Sequence, residues 1–386
     1  MTTCSTSLAN TPSVTEHPLI THAVLADYNL PADTDIRSFG NGHINKTFLL
    51  TTDQRKLILQ QINTAIFPSA DAVVGNALKI EQHLLQKKQQ GQYELQILKQ
   101  MATRRGDYLT GTIKDLRALE FIEHGISLDV VQTSAQAKAA AFTFAQFAAA
   151  LADFDAKQLT TVLPDFHNLQ MRLAQLKDAA ERDSQERLAG CHELVEFCLS
   201  QQHLLEQLHT FSQHLPVRVC HNDTKINNML YSVSEGRGIA AIDLDTCMAG
   251  FWMYDFGDMV RTCCSPEAED SLNTAAVRIR PEIFQALAEG YLTGLSGVIT
   301  ALERDSLLLG AQIMCLMIGV RFLTDHLVGD TYFNIKRESH NLQRAQNQVR
   351  LYQDLLAQEQ ALKDCIQHVA MAIAATQQTN QNEVLA

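Results

Sequence analysis

The chain has 386 residues, 46% of them apolar, more than one hydrophobic core usually holds, so two or three compact units are expected. Thirty-one Lys and Arg stand against 43 Asp and Glu, a net charge of −12, and no basic cluster is interleaved with aromatic residues, which argues against a nucleic-acid partner. The nine cysteines show neither C-x-x-C pairs nor Cys/His zinc spacing, and the adjacent Cys263 and Cys264 are poorly placed for a structural bridge, a pattern that fits a reducing compartment.

In chain order, Met1 to Thr15 is Ser/Thr-rich, with no basic start and no apolar core of signal-peptide length. It predicts a disordered lead-in over 1–15 and a cytoplasmic location. The segment Phe39-Gly-Asn-Gly-His-Ile-Asn45 runs into Lys46–Thr51, and after a turn at Asp53–Arg55 comes Leu57–Ile62. These read as glycine-turned strands of a small antiparallel sheet. Gly40, Asn41 and Gly42 would let backbone approach a phosphate, although ordinary hairpins use glycine in the same way. Where a kinase carries its phosphate-pairing lysine this chain has Gln60, which donates hydrogen bonds but brings no charge, and Glu81 as its helix partner is equally readable as a solvated residue.

Ala118 to Gly125 is an extended apolar run ending in a turn, the expected boundary between an N-terminal lobe (16–123) and a C-terminal lobe (124–376). Its backbone around Glu120 and Ile122 could hydrogen-bond an adenine, or the run could simply be the last strand of the sheet. Ser134 to Phe154 is alanine-rich, with Phe144, Phe147, Leu151 and Phe154 at helical spacing, and predicts a helix with an aromatic core face. In Pro164-Asp-Phe-His-Asn168, His167 either contacts a substrate or packs at a helix start, for which Asp165 and Asn168 are ordinary capping residues. His192, His203, His209 and His214 read as a solvated polar helical stretch.

The most informative segment is Val219-Cys-His-Asn-Asp-Thr-Lys-Ile-Asn-Asn-Met-Leu-Tyr231, followed by Ala241-Ile-Asp-Leu-Asp245. His221, Asp223 and Asn228 spell H-x-D-x-x-x-x-N, and the second carboxylate pair follows a short strand later, as in a kinase catalytic loop and its metal-holding carboxylate. Strands are expected over 215–219, 229–233 and 238–244. Mg²⁺ prefers hard oxygen donors and takes only one or two protein carboxylates, which suits Asn228 and Asp243. A hydroxyl attacking a γ-phosphate needs a proton acceptor within hydrogen-bond reach, which suits Asp223. Any one of these residues could be turn chemistry, but the set together is not what turns alone write.

Tyr254-Asp-Phe-Gly-Asp258 contains a D-F-G that follows Asp243, so Asp255 is read as a support that accepts backbone hydrogen bonds from the catalytic loop. Leu307 to Leu323, broken by Gln312, is read as too short and polar to span a membrane and as a central helix. Asn341 to Ala374 reads as one helical run, and the glutamine-rich 377–386 as a fraying tail.

These segments resemble the aminoglycoside phosphotransferase and choline kinase superfamily. The likeness is closest to its N-acetylhexosamine 1-kinase group, through Ser38–Asn45, Leu57–Asn63, Pro164–Asn168, His221–Lys225, Asp243–Thr246, Tyr254–Asp258 and Arg321–Asp325. The resemblance implies an α+β, protein-kinase-like fold of two lobes, the first mostly antiparallel β and the second helical. It implies ATP as co-substrate with Mg²⁺, Asp223 as base, Asn228 and Asp243 as metal ligands, and Asp245 as an auxiliary metal carboxylate. Arg321, Tyr332 and His43 would bind the acceptor, with His167 a further candidate, and Gln60 also stands in that group. The expected activity is phosphorylation of a sugar hydroxyl, the anomeric hydroxyl of an N-acetylhexosamine first, by a monomer or weak homodimer with no membrane partner. A kinase for an amino alcohol, hydroxylated amino acid or aminoglycoside, and a nucleotide-binding module without turnover, stay open.

Overall fold

A computed structural model describes residues 19–40 and 44–385, with side chains up to 379. The lead-in over 1–15 and the glycine-turn residues Asn41, Gly42 and His43 lie outside the described residues. The chain divides into two compact units, 1–78 with 98–123, and 79–97 with 124–386. The N-terminal lobe expected over 16–123 includes 79–97, which in the structure goes with the second unit.

The first unit is built on a five-stranded antiparallel sheet with the strands in the order Asp35–Ser38, Lys46–Thr51, Lys56–Gln61, Leu116–Glu120, Gln100–Met101. Period-two alternation decides its faces. Phe48, Leu50, Leu57, Leu59, Leu116 and Ala118 point one way and close a core with Ile20, Val24, Leu25, Tyr28 and Leu30 of the short helix His22–Asp27 and its flanks. Burying each large side chain contributes about 1.5–3 kcal/mol. The intervening positions Thr47, Leu49, Ile58 and Gln60 are only half-buried.

The second unit is helical around short strands. The alanine-rich helix Ser134–Ala150 begins at Thr133, whose hydroxyl caps the Gln136 amide, and it buries Phe144 and Phe147. It packs directly against the hairpin of strands Met229–Ser232 and Arg237–Ala241, where a Cβ at Gly238 would meet the Thr143 hydroxyl at 1.9 Å. The helix Ala301–Val328 starts in a capping box made by Thr300 and Glu303. At 28 residues it is longer than the expected 307–323, and long and apolar enough to cross a membrane by length and composition. It is nevertheless a core helix, with 83% of its most apolar window buried. It crosses the helix Trp252–Cys263 where two glycines meet: a Cβ on Gly257 would lie 2.4 Å from the Gly310 carbonyl oxygen, and one on Gly310 2.0 Å from that of Met253.

Three other expectations change. The run read as one helix is two, His340–Ala357 and Glu359–Leu385, broken at Gln358, and the tail expected to fray continues as helix to Leu385. The histidine stretch is likewise two helices, His192–Leu199 and His203–Ser212, with His192, His203, His209 and His214 all exposed.

Candidate active site

The segment 218–247 is held from three sides. The strand Arg218–Cys220 pairs with Met248–Gly250, and Arg218 reaches Glu303 of the core helix at 2.8 Å. The helix Trp252–Cys263 then supplies Asp255, whose buried carboxylate accepts the backbone N–H of His221 at 2.9 Å and of Asn222 at 2.7 Å. This is the supporting role expected of it. The Thr224 hydroxyl donates to the Asp255 carbonyl oxygen at 2.5 Å, and the Thr246 hydroxyl to the His221 carbonyl oxygen at 2.6 Å. Asn222 takes the left-handed region with φ 64°, a conformation Asn tolerates better than most residues, and its amide donates to the Thr246 carbonyl oxygen at 2.9 Å. Burial pushes the Asp255 carboxyl up to about 7, against the pull of the two backbone donors.

His221 does not face the chemistry. Its Nε2 donates to the Ile242 carbonyl oxygen at 2.9 Å, and its ring meets Phe144 and Phe147 edge-on at 5.2 and 5.9 Å. Burial holds it below the usual histidine range, so it is a neutral strut tying the loop to the start of the Asp243 turn and to the alanine-rich helix.

The other loop residues gather around one carboxylate. The Asn228 amide nitrogen donates to Asp223 Oδ2 at 2.7 Å and to its carbonyl oxygen at 2.9 Å, and Lys225 Nζ lies 3.0 Å from the same Oδ2. Among the described residues these contacts use Oδ2 and leave Oδ1 for another donor. They also turn the Asn228 amide oxygen away from Asp223. The hairpin places Asp243 alongside: Met229 pairs with Ala241, the Ile242 amide donates to the Asn228 carbonyl oxygen at 2.9 Å, and Asp243 follows in the left-handed region at φ 60°. Asp243 is exposed, whereas Asp245 is 2% exposed in the turn Leu244–Thr246. Burial pulls the Lys225 ammonium down, but Asp223 first, then Asp243 and Asp258, hold it above its ordinary value. One cation therefore senses both carboxylates assigned to the site. The H-x-D-x-x-x-x-N pattern itself gives Lys225 no role; its position two residues after Asp223 is the signal in the sequence.

Beside Asp223 lies a second group of side chains. Asn168 caps the helix Leu169–Arg182 by accepting from the Met171 amide at 3.0 Å, whereas Asp165 caps nothing and accepts from the Asn168 amide nitrogen at 2.9 Å. His167 stacks on Phe166 at 4.6 Å and lies tilted against Tyr254 at 4.9 Å, and its buried Nε2 has no hydrogen-bond partner among the described residues. Burial, then Arg321, pulls its pKa down to about 3 against the opposing charge of Asp223, so it is a neutral imidazole with one unused nitrogen. Arg321 donates to the Tyr332 hydroxyl at 3.3 Å and lies over the rings of Phe166, Tyr332 and Phe333 at 5.4–5.6 Å. One turn after Arg321, buried Asp325 accepts the amides of Thr331, Tyr332 and Phe333 at 2.8–2.9 Å, and so fixes the loop that brings Tyr332 back to Arg321.

In the first unit Gln60 is bonded across the sheet to Arg117 and Thr47. Gly40 has φ 78°, a conformation that favours glycine. The Glu120 amide donates to the Lys99 carbonyl oxygen at 2.9 Å, and Ile122 is buried just after the strand ends.

Residues 35–297 match the APH phosphotransferase enzyme family, and the chain belongs to that family. Among solved structures it is similar over 92% of its length to 98% of an aminoglycoside phosphotransferase from Alicyclobacillus acidocaldarius subsp. acidocaldarius DSM 446, at 16% identity and a TM-score of 0.57. It is similar over 84% of its length to 91% of a choline kinase from Cryptosporidium parvum Iowa II, at 14% identity and 0.51. An aminoglycoside phosphotransferase solved as a ternary complex with streptomycin and ATP matches over 86% of this chain and 96% of its own, at 13% and 0.52. The fold is thus the α+β, protein-kinase-like one of these enzymes, and the chain is a small-molecule kinase of an ATP-binding phosphotransferase family.

Proposed function

We propose that the chain transfers the γ-phosphoryl group of ATP to a hydroxyl of a neutral sugar, the anomeric hydroxyl of an N-acetylhexosamine first among them. The observation that carries this reading is the convergence of Asn228 and Lys225 on Asp223 Oδ2, with the hairpin setting Asp243 beside them. Asp223 Oδ1 accepts the proton of the attacking hydroxyl. Lys225, 3.0 Å from that carboxylate, offsets charge on the transferred group. The Asn228 amide oxygen, turned from Asp223 by the use of its nitrogen, and the exposed Asp243 carboxylate are hard donors that fit Mg²⁺, with Asp245 supporting the turn from within. Bound there, Mg²⁺ would neutralise phosphate charge as the bond to the leaving oxygen breaks. The half-buried sheet face of Leu49 and Ile58 suits an adenine, and the backbone at Glu120 and Ile122 its edge; Gly40, Asn41 and Gly42 are assigned to the phosphates.

For the acceptor, Arg321, Tyr332 and His167 supply donors and one unused acceptor nitrogen against aromatic walls, the chemistry of a sugar ring with hydroxyls and an acetamido oxygen. His43 is assigned to the same acceptor. A cationic acceptor is disfavoured, because the guanidinium of Arg321 already occupies the aromatic faces. A cytoplasmic location belongs to the proposal and accords with the eight described cysteines being free thiols. The test is ADP release with ATP and Mg²⁺ over N-acetylhexosamines, hexoses, amino alcohols and aminoglycosides. Turnover with an N-acetylhexosamine is expected; turnover confined to amino alcohols or aminoglycosides would refute the acceptor.

A further inference from the structure

In the five-stranded sheet Gln60 stands opposite Arg117 on one side and Thr47 on the other. Directly opposed residues share a face, so the three form one polar row across three neighbouring strands, on the face away from the apolar core. Arg117 is 2% exposed, an unusual residue for a strand interior, where a cation costs far more to bury than an aliphatic side chain. Its guanidinium donates to Gln60 Oε1 from Nε at 3.2 Å and Nη2 at 2.6 Å. That fork settles which way the amide points: the oxygen faces Arg117, and Nε2 is on the Thr47 side, donating one hydrogen to the Thr47 hydroxyl at 3.2 Å. The second Nε2 hydrogen has no partner among the described residues. Gln60 occupies the strand position where a kinase of this architecture carries a lysine for the phosphates, and the charge missing there stands one strand away.

We propose that Arg117 is a positioning residue for the nucleotide's phosphates, delivering its positive charge through Gln60, whose Nε2 makes the contact. An amide polarised by two guanidinium donors is a stronger donor than an isolated one, and a fixed charge behind it favours a polyanion in front. The proposal rests on the ATP-dependent reading above, and the measurement separates the two. Calorimetric titration of the whole chain with ATP·Mg²⁺ and with AMP is the test; AMP lacks the β- and γ-phosphates. Wild type binding neither nucleotide would overturn the kinase reading itself, before any variant is made. With wild-type binding in hand, Arg117→Met is expected to weaken ATP by about tenfold or more, with AMP unchanged within about twofold and the KM for the acceptor unmoved. The exchange variant Gln60→Lys/Arg117→Gln, which returns the charge to the central strand, is expected to recover most of the loss. A folded Arg117→Met protein that binds ATP as wild type does, or that loses ATP and AMP equally, would overturn the proposal. If Arg117→Met does not fold, Arg117→Lys decides: retained preference for ATP over AMP supports the charge role, and its loss refutes it.

Discussion

At the level of single residues the account turns on Asp223 being the proton acceptor and not a binding group. Asp223→Asn keeps the side chain's size and its place beside Asn228, so nucleotide affinity should survive while turnover falls by about 10²–10⁴. Loss of ATP affinity with chemistry retained, measured by titration and ADP release, would reverse that assignment. His167 offers a pH signature. Its ordinary value is 6.5 and its folded value about 3, so the unfolded chain binds a proton that the folded one refuses between those limits. The stability owed to this group is whole above pH 6.5 and declines as pH falls toward 3. In denaturant titrations His167→Asn should therefore show a shallower loss of stability over that window; an unchanged slope would mean the imidazole is not buried as described. The convergence of Asn228 and Lys225 on Asp223 was readable because the three lie within six residues of one another. The partner of Gln60 was not, because Arg117 lies 57 positions on and only strand register brings them together.

At the level of elements, two devices shape the second unit. The first is the crossing of Trp252–Cys263 with Ala301–Val328. The D-F-G triplet is accounted for here: Asp255 faces the catalytic loop, Phe256 fills the core and Gly257 lets the Gly310 backbone approach. Gly310→Ala should force that crossing open at a cost of about 1–3 kcal/mol, read as a lowered Tm. An unchanged Tm would place the helices further apart than described. The second is Asp325, whose carboxylate gathers three successive amides of the loop 331–333. Asp325→Ala should raise the KM for the acceptor while leaving that for ATP unchanged; equal effects on both would deny the loop its acceptor role. Helix and strand periods were legible wherever one face is apolar, as in Ser134–Ala150. The break at Gln358 was not, since no Pro or Gly marks it and Asp354, one turn earlier, bonds both Gln358 and the distant Ile279 amide.

At the scale of the whole molecule, the net charge of −12 says little about the site, where Arg172, Arg261 and Arg321 all depress the pKa of His167 beside Asp223. In the proposed function local charge bears on the acceptor, and the same contrast explains why composition argues against a nucleic-acid partner yet does not choose among sugars, amino alcohols and antibiotics. The division of the chain at 123 and 124 coincides with the turn signal after the last strand, whereas the assignment of 79–97 to the second unit carried no local mark. The central claim is that Asp223, Asn228 and Asp243 form one phosphoryl-transfer centre, and crystals grown with Mn²⁺ and a non-hydrolysable ATP analogue test it most directly. An anomalous peak about 2–2.2 Å from Asn228 Oδ1 and an Asp243 carboxylate oxygen, with the γ-phosphate facing Asp223, is the predicted result. A metal–nucleotide complex bound away from those two side chains would contradict it.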